Sequence, residues 1–171
     1  MSVESDVRIR SVVAADLDRL VEIASALDDA PRWPRRVFEA LLDPSSQKRI
    51  ALIAEDSRTG ALVGFAVSGL VPPEAELESI AVSAENQRKG VARRLFAAMA
   101  DELGHAQVRE VLLEVRVSNQ AARAFYASLG FAEEGRRPGY YDDPVEDALL
   151  MRLKLGDSTG RDKSKHDRMK A

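Results

Sequence analysis

The 171-residue chain contains no cysteine and only two histidines, His105 and His166. The lack of cysteine excludes disulfide bonds, thiolate metal sites and a cysteine nucleophile. Two histidines cannot form a histidine-rich metal centre. A serine–histidine triad would depend on His105, because His166 lies in a polar tail.

Long apolar runs are also missing. No stretch approaches about 18 consecutive apolar residues, the length of a membrane-spanning helix, and the first six residues lack the basic start and apolar segment of a signal peptide. We expect a cytoplasmic protein that does not bind membranes. Its 45% hydrophobic and 31% charged residues are typical of a globular protein. We assign residues 1–155 to one domain and the polar residues 156–171 to a disordered tail.

The chain has a small net charge of −3. Five basic and three acidic residues follow residue 155, so the predicted domain alone has a net charge of −5. Such a domain binds nucleic acid poorly, because the phosphates repel it, whereas its field attracts a cationic substrate. The alternative is that the charge serves only solubility.

Hydrophobic periodicity predicts the element order β, α, α, β, β, β, α, β, α, β, β. Helices are expected over residues 14–27, from 34, over 90–103 and over 119–129, and strands over 6–12, 49–55, 61–70, 75–82, 108–117, from 131 and over 147–155. We interpret residues 136–141 as a loop, because they include a Pro-Gly pair. This order predicts an α/β fold with helices covering a sheet.

The segment Gln87–Ala92 lies between a predicted strand and the longest predicted helix. The first amides of a helix have no partner within the helix, and the helix dipole is positive there, which favours an anion. Gly90 lets a phosphate approach the backbone without a Cβ in the way. Nearby basic residues add positive charge: Arg88, Lys89, Arg93 and Arg94. The alternative is an ordinary helix start with a solvated basic face.

Several motifs around this segment are similar to those of a known family. Gln-x-x-Gly-x-Ala, following the strand end Ile80-Ala81-Val82, resembles the acetyl-CoA motif of the GNAT superfamily of N-acetyltransferases. The resemblance extends from about residue 7 to residue 155 and is strongest to the RimI-like branch, the ribosomal-protein-alanine N-alpha-acetyltransferases. The segments that resemble this branch are Trp33-Pro34, Leu113-Glu114-Val115-Arg116, Ser118-Asn119, Ala124-Phe125-Tyr126, residues 128–131, Tyr140-Tyr141 and Glu146-Asp147-Ala148.

The resemblance implies a fold and a co-substrate. The expected fold is a GNAT-like mixed, mostly antiparallel sheet, with helices on both faces and with fourth and fifth strands that separate at a β-bulge. The expected co-substrate is acetyl-CoA, without a metal. Asn119 matches a CoA contact, although it would also suit the N-cap of a helix, and both roles stay open. The full set of expected acetyl-CoA contacts is Ile80, Ala81, Val82, Arg88, Lys89, Gly90, Val91, Ala92, Arg93 and Asn119.

Two residues match the catalytic groups of the RimI-like branch. Glu114 matches the proton acceptor, and alternation places it opposite the apolar face of its strand. Tyr126 matches the proton donor to the leaving thiolate. The alternatives are that Glu114 forms a structural pair with Arg116, that Tyr126 only packs, or that Glu78 on the fourth strand is the base, as in many other GNAT enzymes.

The expected activity is therefore acetylation of the N-terminal α-amine of a protein, by direct attack of the amine on the thioester. The implied target is the terminal alanine of a ribosomal protein. The acidic residues of the fourth strand and of residues 142–146 would suit a basic acceptor. The alternatives are acetylation of a small amine and a non-catalytic acyl-CoA-binding regulator. We expect a monomer or a homodimer.

Overall fold

The computed structural model describes residues 6–28, 32–45 and 48–156, so the predicted tail lies outside the described residues apart from Gly156. In these ranges the chain forms seven strands and four α-helices in the predicted order. The strands are β1 (Val7–Ser11), β2 (Arg49–Asp56), β3 (Leu62–Val71), β4 (Glu74–Val82), β5 (Glu110–Arg116), β6 (Ala132–Asp142) and β7 (Val145–Lys154). The helices are α1 (Leu17–Ala26), α2 (Arg35–Ala40), α3 (Val91–His105) and α4 (Gln120–Ser128).

The strands form one sheet in the order β1-β2-β3-β4-β5-β7-β6. β4 and β5 are parallel, and every other neighbouring pair is antiparallel. The crossover between the parallel strands contains α3, as parallel connections require. The predicted mixed, mostly antiparallel sheet is confirmed.

Helices cover both faces of this sheet and enclose two apolar cores. On one face, the i, i+4 stripe of α3 packs against the alternating residues Val111, Leu113 and Val115 of β5. On the other face, Leu20 and Ile23 of α1 and Phe38 of α2 pack against β2 and β3. Glu114 points away from the α3 core, because neighbouring residues of a strand face opposite sides. None of the described helices combines the length and apolar character needed to cross a membrane.

β4 and β5 separate along their length. They pair only at Glu74–Glu110, Ala75–Val111 and Glu76–Leu112. Just beyond, the register of β4 on β3 changes from Ser68–Leu77 to Val67–Ser79, so Glu78 has no partner residue and forms a β-bulge. The predicted separation of the fourth and fifth strands at a bulge is confirmed.

The prediction that residues 136–141 form a loop is wrong, because β6 continues through them to Asp142. β6 is an edge strand, where the missing N–H of Pro138 costs no ladder hydrogen bond. The pairing with β7 is irregular between Arg137 and Tyr141. At this irregularity Gly139 has a φ of +59°, and its N–H donates to Asp147 Oδ1 at 2.9 Å. The Pro-Gly pair therefore distorts the strand without ending it.

Candidate active site

The amino end of α3 is open to a ligand. The helix begins at Val91, and the N-cap residue Gly90 has a left-handed φ of +80° and no side-chain cap. A Cβ built on Gly90 would meet no atom within 4 Å, so the space above this turn is free. The uncapped amides of the first turn and the positive end of the dipole suit an anionic group.

The residues predicted to bind around this turn differ in their surroundings. Arg88 and Lys89 are exposed beside it, and Val91 is buried. Ala92 is partly buried against the α3 core, so Val91 and Ala92 can offer only their backbone amides to a phosphate. Arg93 already has a partner, because its Nη2 donates to Ser128 Oγ of α4 at 2.8 Å.

A cavity of about 850 Å³ occupies the gap between the separated strands. Six predicted site residues line it: Ile80, Ala81, Val82, Glu114, Asn119 and Tyr126. The other six, residues 88–93, lie at the amino end of α3 outside the lining. Gln87 connects the two groups, since it lines the cavity and its Nε2 donates to the Val82 carbonyl at 3.0 Å. The structure thus gathers the predicted residues into two adjacent sets.

Glu114 presents one free carboxylate oxygen. Its side chain is only 12% exposed, and Oε1 lies 3.0 Å from Arg137 Nη1. Oε2 is buried and accepts no hydrogen bond. The alternative pairing with Arg116 is wrong, because Arg116 bridges to Glu146 at 3.4 Å and lies over the Tyr141 ring at 4.1 Å. A buried carboxylate oxygen without a partner is costly unless a ligand or water satisfies it.

Two neighbours of Glu114 on β6 were not predicted from sequence as site residues, namely Arg137 and Tyr140. A hydrogen bond to Glu114 raises the pKa of Tyr140 to about 12. The family resemblance drew attention to Tyr140, but Arg137 carried no signal, because its segment was interpreted as a loop. Their positions depend on the continuation of β6.

Tyr126 lies on α4, and its ring packs edge-on against Phe131 with centroids 5.7 Å apart. Burial raises the pKa of Tyr126 to about 12. The phenol therefore carries its proton throughout the neutral pH range, and a pKa this far above neutral also makes it a weak acid. Its assignment as the catalytic acid stays a prediction.

Asn119 is the N-cap of α4, where its Oδ1 accepts a hydrogen bond from the Ala122 amide at 3.1 Å. This structural role is confirmed. Because Asn119 also lines the cavity, its contact with CoA stays a prediction beside the capping role.

Glu78, the rival base, is also bound by an arginine. Its Oε1 and Oε2 lie 3.1 and 2.9 Å from Arg49 Nε. Its Oε1 also fills the hollow above Gly69, where a Cβ would approach it to 2.7 Å. Burial, and then the carboxylates of Glu114 and Glu78, raise the pKa of the neighbouring Glu76. Oε2 of Glu78, like Oε2 of Glu114, is buried and accepts no hydrogen bond, so the choice of Glu114 as proton acceptor rests on the family resemblance and stays a prediction.

Comparison with known proteins places these features in context. The sequence profile of the acetyltransferase (GNAT) family matches residues 17–131. The chain is 36% identical over 149 residues to the ribosomal protein bS18-alanine N-acetyltransferase of Escherichia coli, covering 86% of this chain and 97% of that protein. It is 36% identical over 157 residues to the N-alpha-acetyltransferase RimI of Mycobacterium tuberculosis, covering 88% and 94%. The crystal structure of the Escherichia coli ribosomal-protein-alanine N-acetyltransferase superposes with a TM-score of 0.77 at 32% identity, over 92% of this chain and 99% of that one.

Proposed function

Because the chain belongs to the GNAT family of acetyl-CoA-dependent N-acetyltransferases, we propose that its acceptor is the N-terminal α-amine of a protein beginning with alanine. The names of the Escherichia coli and Mycobacterium tuberculosis relatives support this acceptor. The observation that carries the proposal is the free Oε2 of Glu114 in a cavity that Tyr126 also lines. The proposed base and the proposed acid thus border one cavity, next to the amino end of α3.

The acyl donor would contact both sets of residues. The amides of Val91, Ala92 and Arg93, with Arg88 and Lys89, would bind its pyrophosphate. β4 makes no pairs with β5 beyond Glu76, so the backbone of Ile80–Val82 faces the gap. Backbone N–H and C=O groups on this edge need partners. Gln87 Nε2 already donates to the Val82 carbonyl, and the amides of the pantetheine arm would supply partners for the others.

In the transfer step, the neutral amine attacks the thioester carbonyl carbon. A C–N bond forms, and the C–S bond breaks as the tetrahedral intermediate collapses. A free α-amine has a pKa of about 8, so a fraction is already neutral near that pH. The nitrogen becomes far more acidic once the C–N bond forms, and Oε2 of Glu114 takes its proton.

The leaving thiolate accepts a hydrogen bond, and then the proton, from the Tyr126 hydroxyl. The proton held by Glu114 returns to the tyrosinate through solvent, so each turnover releases CoA–SH and the acetamide with no net change in the enzyme. Each proton transfer of this kind typically contributes about 10²- to 10⁴-fold to the rate.

The test is to incubate the protein with acetyl-CoA and a peptide that begins with alanine and contains one lysine. Mass spectrometry should locate a single acetyl group on the α-amine, with one CoA released per acetyl group. Glu114→Gln and Tyr126→Phe should each lower kcat by about 10²-fold or more. Glu102→Gln, which removes a charge from an exposed site on α3, should retain the parent rate.

Three outcomes would contradict parts of the proposal. The same peptide with a blocked α-amine should not react, and acetylation of its lysine would show that the acceptor assignment is wrong. Faster turnover of a small amine than of any peptide would favour the small-molecule alternative. Unchanged turnover in both active-site variants would leave the family assignment intact and refute the catalytic roles.

A further inference from the structure

Arg137 of β6 binds the Glu114 carboxylate through Oε1, at 3.0 Å. We propose that Arg137 is a positioning residue for the transfer step. By binding Oε1 of Glu114 it leaves Oε2 as the oxygen that accepts the proton from the amine. The inference rests on the proposed function, because it presupposes that Glu114 is the base.

Arg137 reaches Glu114 from a different strand and a different cavity. It lies on β6, and β7 separates this strand from β5. A second cavity of about 610 Å³ is lined by both Arg137 and Glu114. Among the described residues that line the large cavity, Glu114 is present and Arg137 is not. Arg137 thus borders only the second of the two cavities, whereas Glu114 borders both.

The residue opposite Arg137 on β7 leaves room for this contact. Arg137 is the last residue of β6 in regular register, opposite Ala148 of β7, before the pairing resumes at Tyr141. Ala148 is fully buried and small. The Arg137 side chain can therefore cross β7 above it. Arg137 stays 57% exposed while its partner is 12% exposed, so the contact brings solvent-accessible positive charge to a carboxylate that is largely buried.

The other charged groups around Glu114 do not replace Arg137. Arg49 of β2 is bound to Glu78, and Arg116 of β5 is bound to Glu146. Glu76 and Glu78 of β4 share the cavity walls with Glu114 and repel its negative charge. From β6, the neutral hydroxyl of Tyr140 donates to Glu114, and Tyr141 feels the charge of Glu114. Loss of Arg137 would thus leave the Glu114 carboxylate close to the negative charges of Glu76 and Glu78, without a cation to offset them.

The experiment compares the pH dependence of kcat in three variants of the full chain, with acetyl-CoA and the alanine peptide both saturating. Arg137→Met removes the charge and keeps most of the side-chain length. Arg137→Lys keeps the charge. Arg136→Met removes an equal charge from the adjacent, exposed position of β6, and it serves as the matched control.

An opposite charge at this distance favours the ionised form of a carboxylate, and the exposure of Arg137 places the effect at the lower end of the usual range. We expect Arg137→Met to move the acid-side limb of the kcat profile to higher pH by about one unit. Arg137→Lys and Arg136→Met should keep the midpoint of the parent limb.

A uniform loss of kcat at every pH in Arg137→Met, or a change in KM alone, would overturn the inference, because a purely structural or acceptor-binding role predicts those results. Arg137→Gln is a second charge-removing variant that must give the same profile, and thermal unfolding checks that both variants are folded. The inference and the proposed function fail separately. Glu114→Gln tests whether Glu114 is the proton acceptor, and the peptides test which amine receives the acetyl group. Neither result depends on Arg137.

Discussion

The assignment of the amino end of α3 to a phosphate can be tested by adding one methyl group. Gly90 has a φ of +80°, and Gly60, in the turn between β2 and β3, has a φ of +71°. A Cβ on either residue would meet no protein atom within 4 Å. Alanine at each position therefore introduces the same backbone strain and no internal clash. Only at Gly90 does the methyl group enter the proposed phosphate site.

The magnitudes follow from these geometries. A left-handed conformation costs a residue with a Cβ roughly 1–2 kcal/mol relative to glycine. For a chain of this length, that cost lowers the Tm by roughly 2–8 °C. We expect this decrease in both Gly90→Ala and Gly60→Ala. If the methyl group removes one charged hydrogen bond to the pyrophosphate, worth about 1.5–3 kcal/mol, the Kd for CoA rises roughly 10- to 150-fold in Gly90→Ala.

The assay is titration calorimetry with CoA, with thermal unfolding of both variants run without ligand. Gly60→Ala supplies the strain control, because its Tm should fall while its Kd for CoA stays within about twofold of the parent value. Equal affinities in the two variants would refute the placement of the phosphate at this turn. A decrease in Tm confined to one variant would refute the claim that the two glycines experience the same strain.

Three further predictions concern single side chains. Asn119→Ala should lower the free energy of unfolding by about 0.5–2 kcal/mol through loss of the α4 cap, and Asn119→Asp should restore it; an increase in the KM for acetyl-CoA in both variants would reveal the separate CoA contact. The basic limb of the kcat profile should not arise from Tyr126, because its pKa is about 12; a limb below pH 10 that disappears in Tyr126→Phe would contradict this. Arg10 lowers the pKa of Asp16. The ion pair therefore stabilises the fold above the unfolded-state pKa of about 4, and this stabilisation is lost as the pH falls through the lower folded-state pKa. In urea unfolding, Asp16→Asn should be less stable than the parent at pH 7, and the difference should decrease below about pH 4.

The fold could be predicted where one face of an element is buried. The alternation of Val111, Leu113 and Val115 placed Glu114 on the opposite face of β5, and the structure confirms it, because these three side chains pack under α3. The helix at Gly90 was predicted one residue early, since a left-handed N-cap has no signature in hydrophobic periodicity. Family resemblance, rather than periodicity, supplied the separation of β4 and β5.

The environment of Glu114 could not be predicted in the same way. Sequence proximity favoured Arg116 as its partner, but Arg116 is held by Glu146 and by the Pro144 and Asp143 carbonyls. The actual partner, Arg137, is 23 positions away in sequence and reaches Glu114 across β7. That contact requires β6 to continue through Pro138, which is possible because β6 lies at the edge of the sheet. Local sequence patterns do not show which strand is at the edge.

One extra residue in β4 links the two halves of the site. The bulge at Glu78 occurs just beyond Glu76, where pairing between β4 and β5 ends. Beyond it, Ala81 packs in the core of α1 and α2 while Val82 packs in the core of α3, so the strand stays anchored on both faces with its β5 edge unpaired. The unpaired edge borders the cavity on one side, and Glu114 borders it on the other. The same irregularity therefore exposes the backbone that would bind the acyl donor and opens the space in which the base would meet the amine.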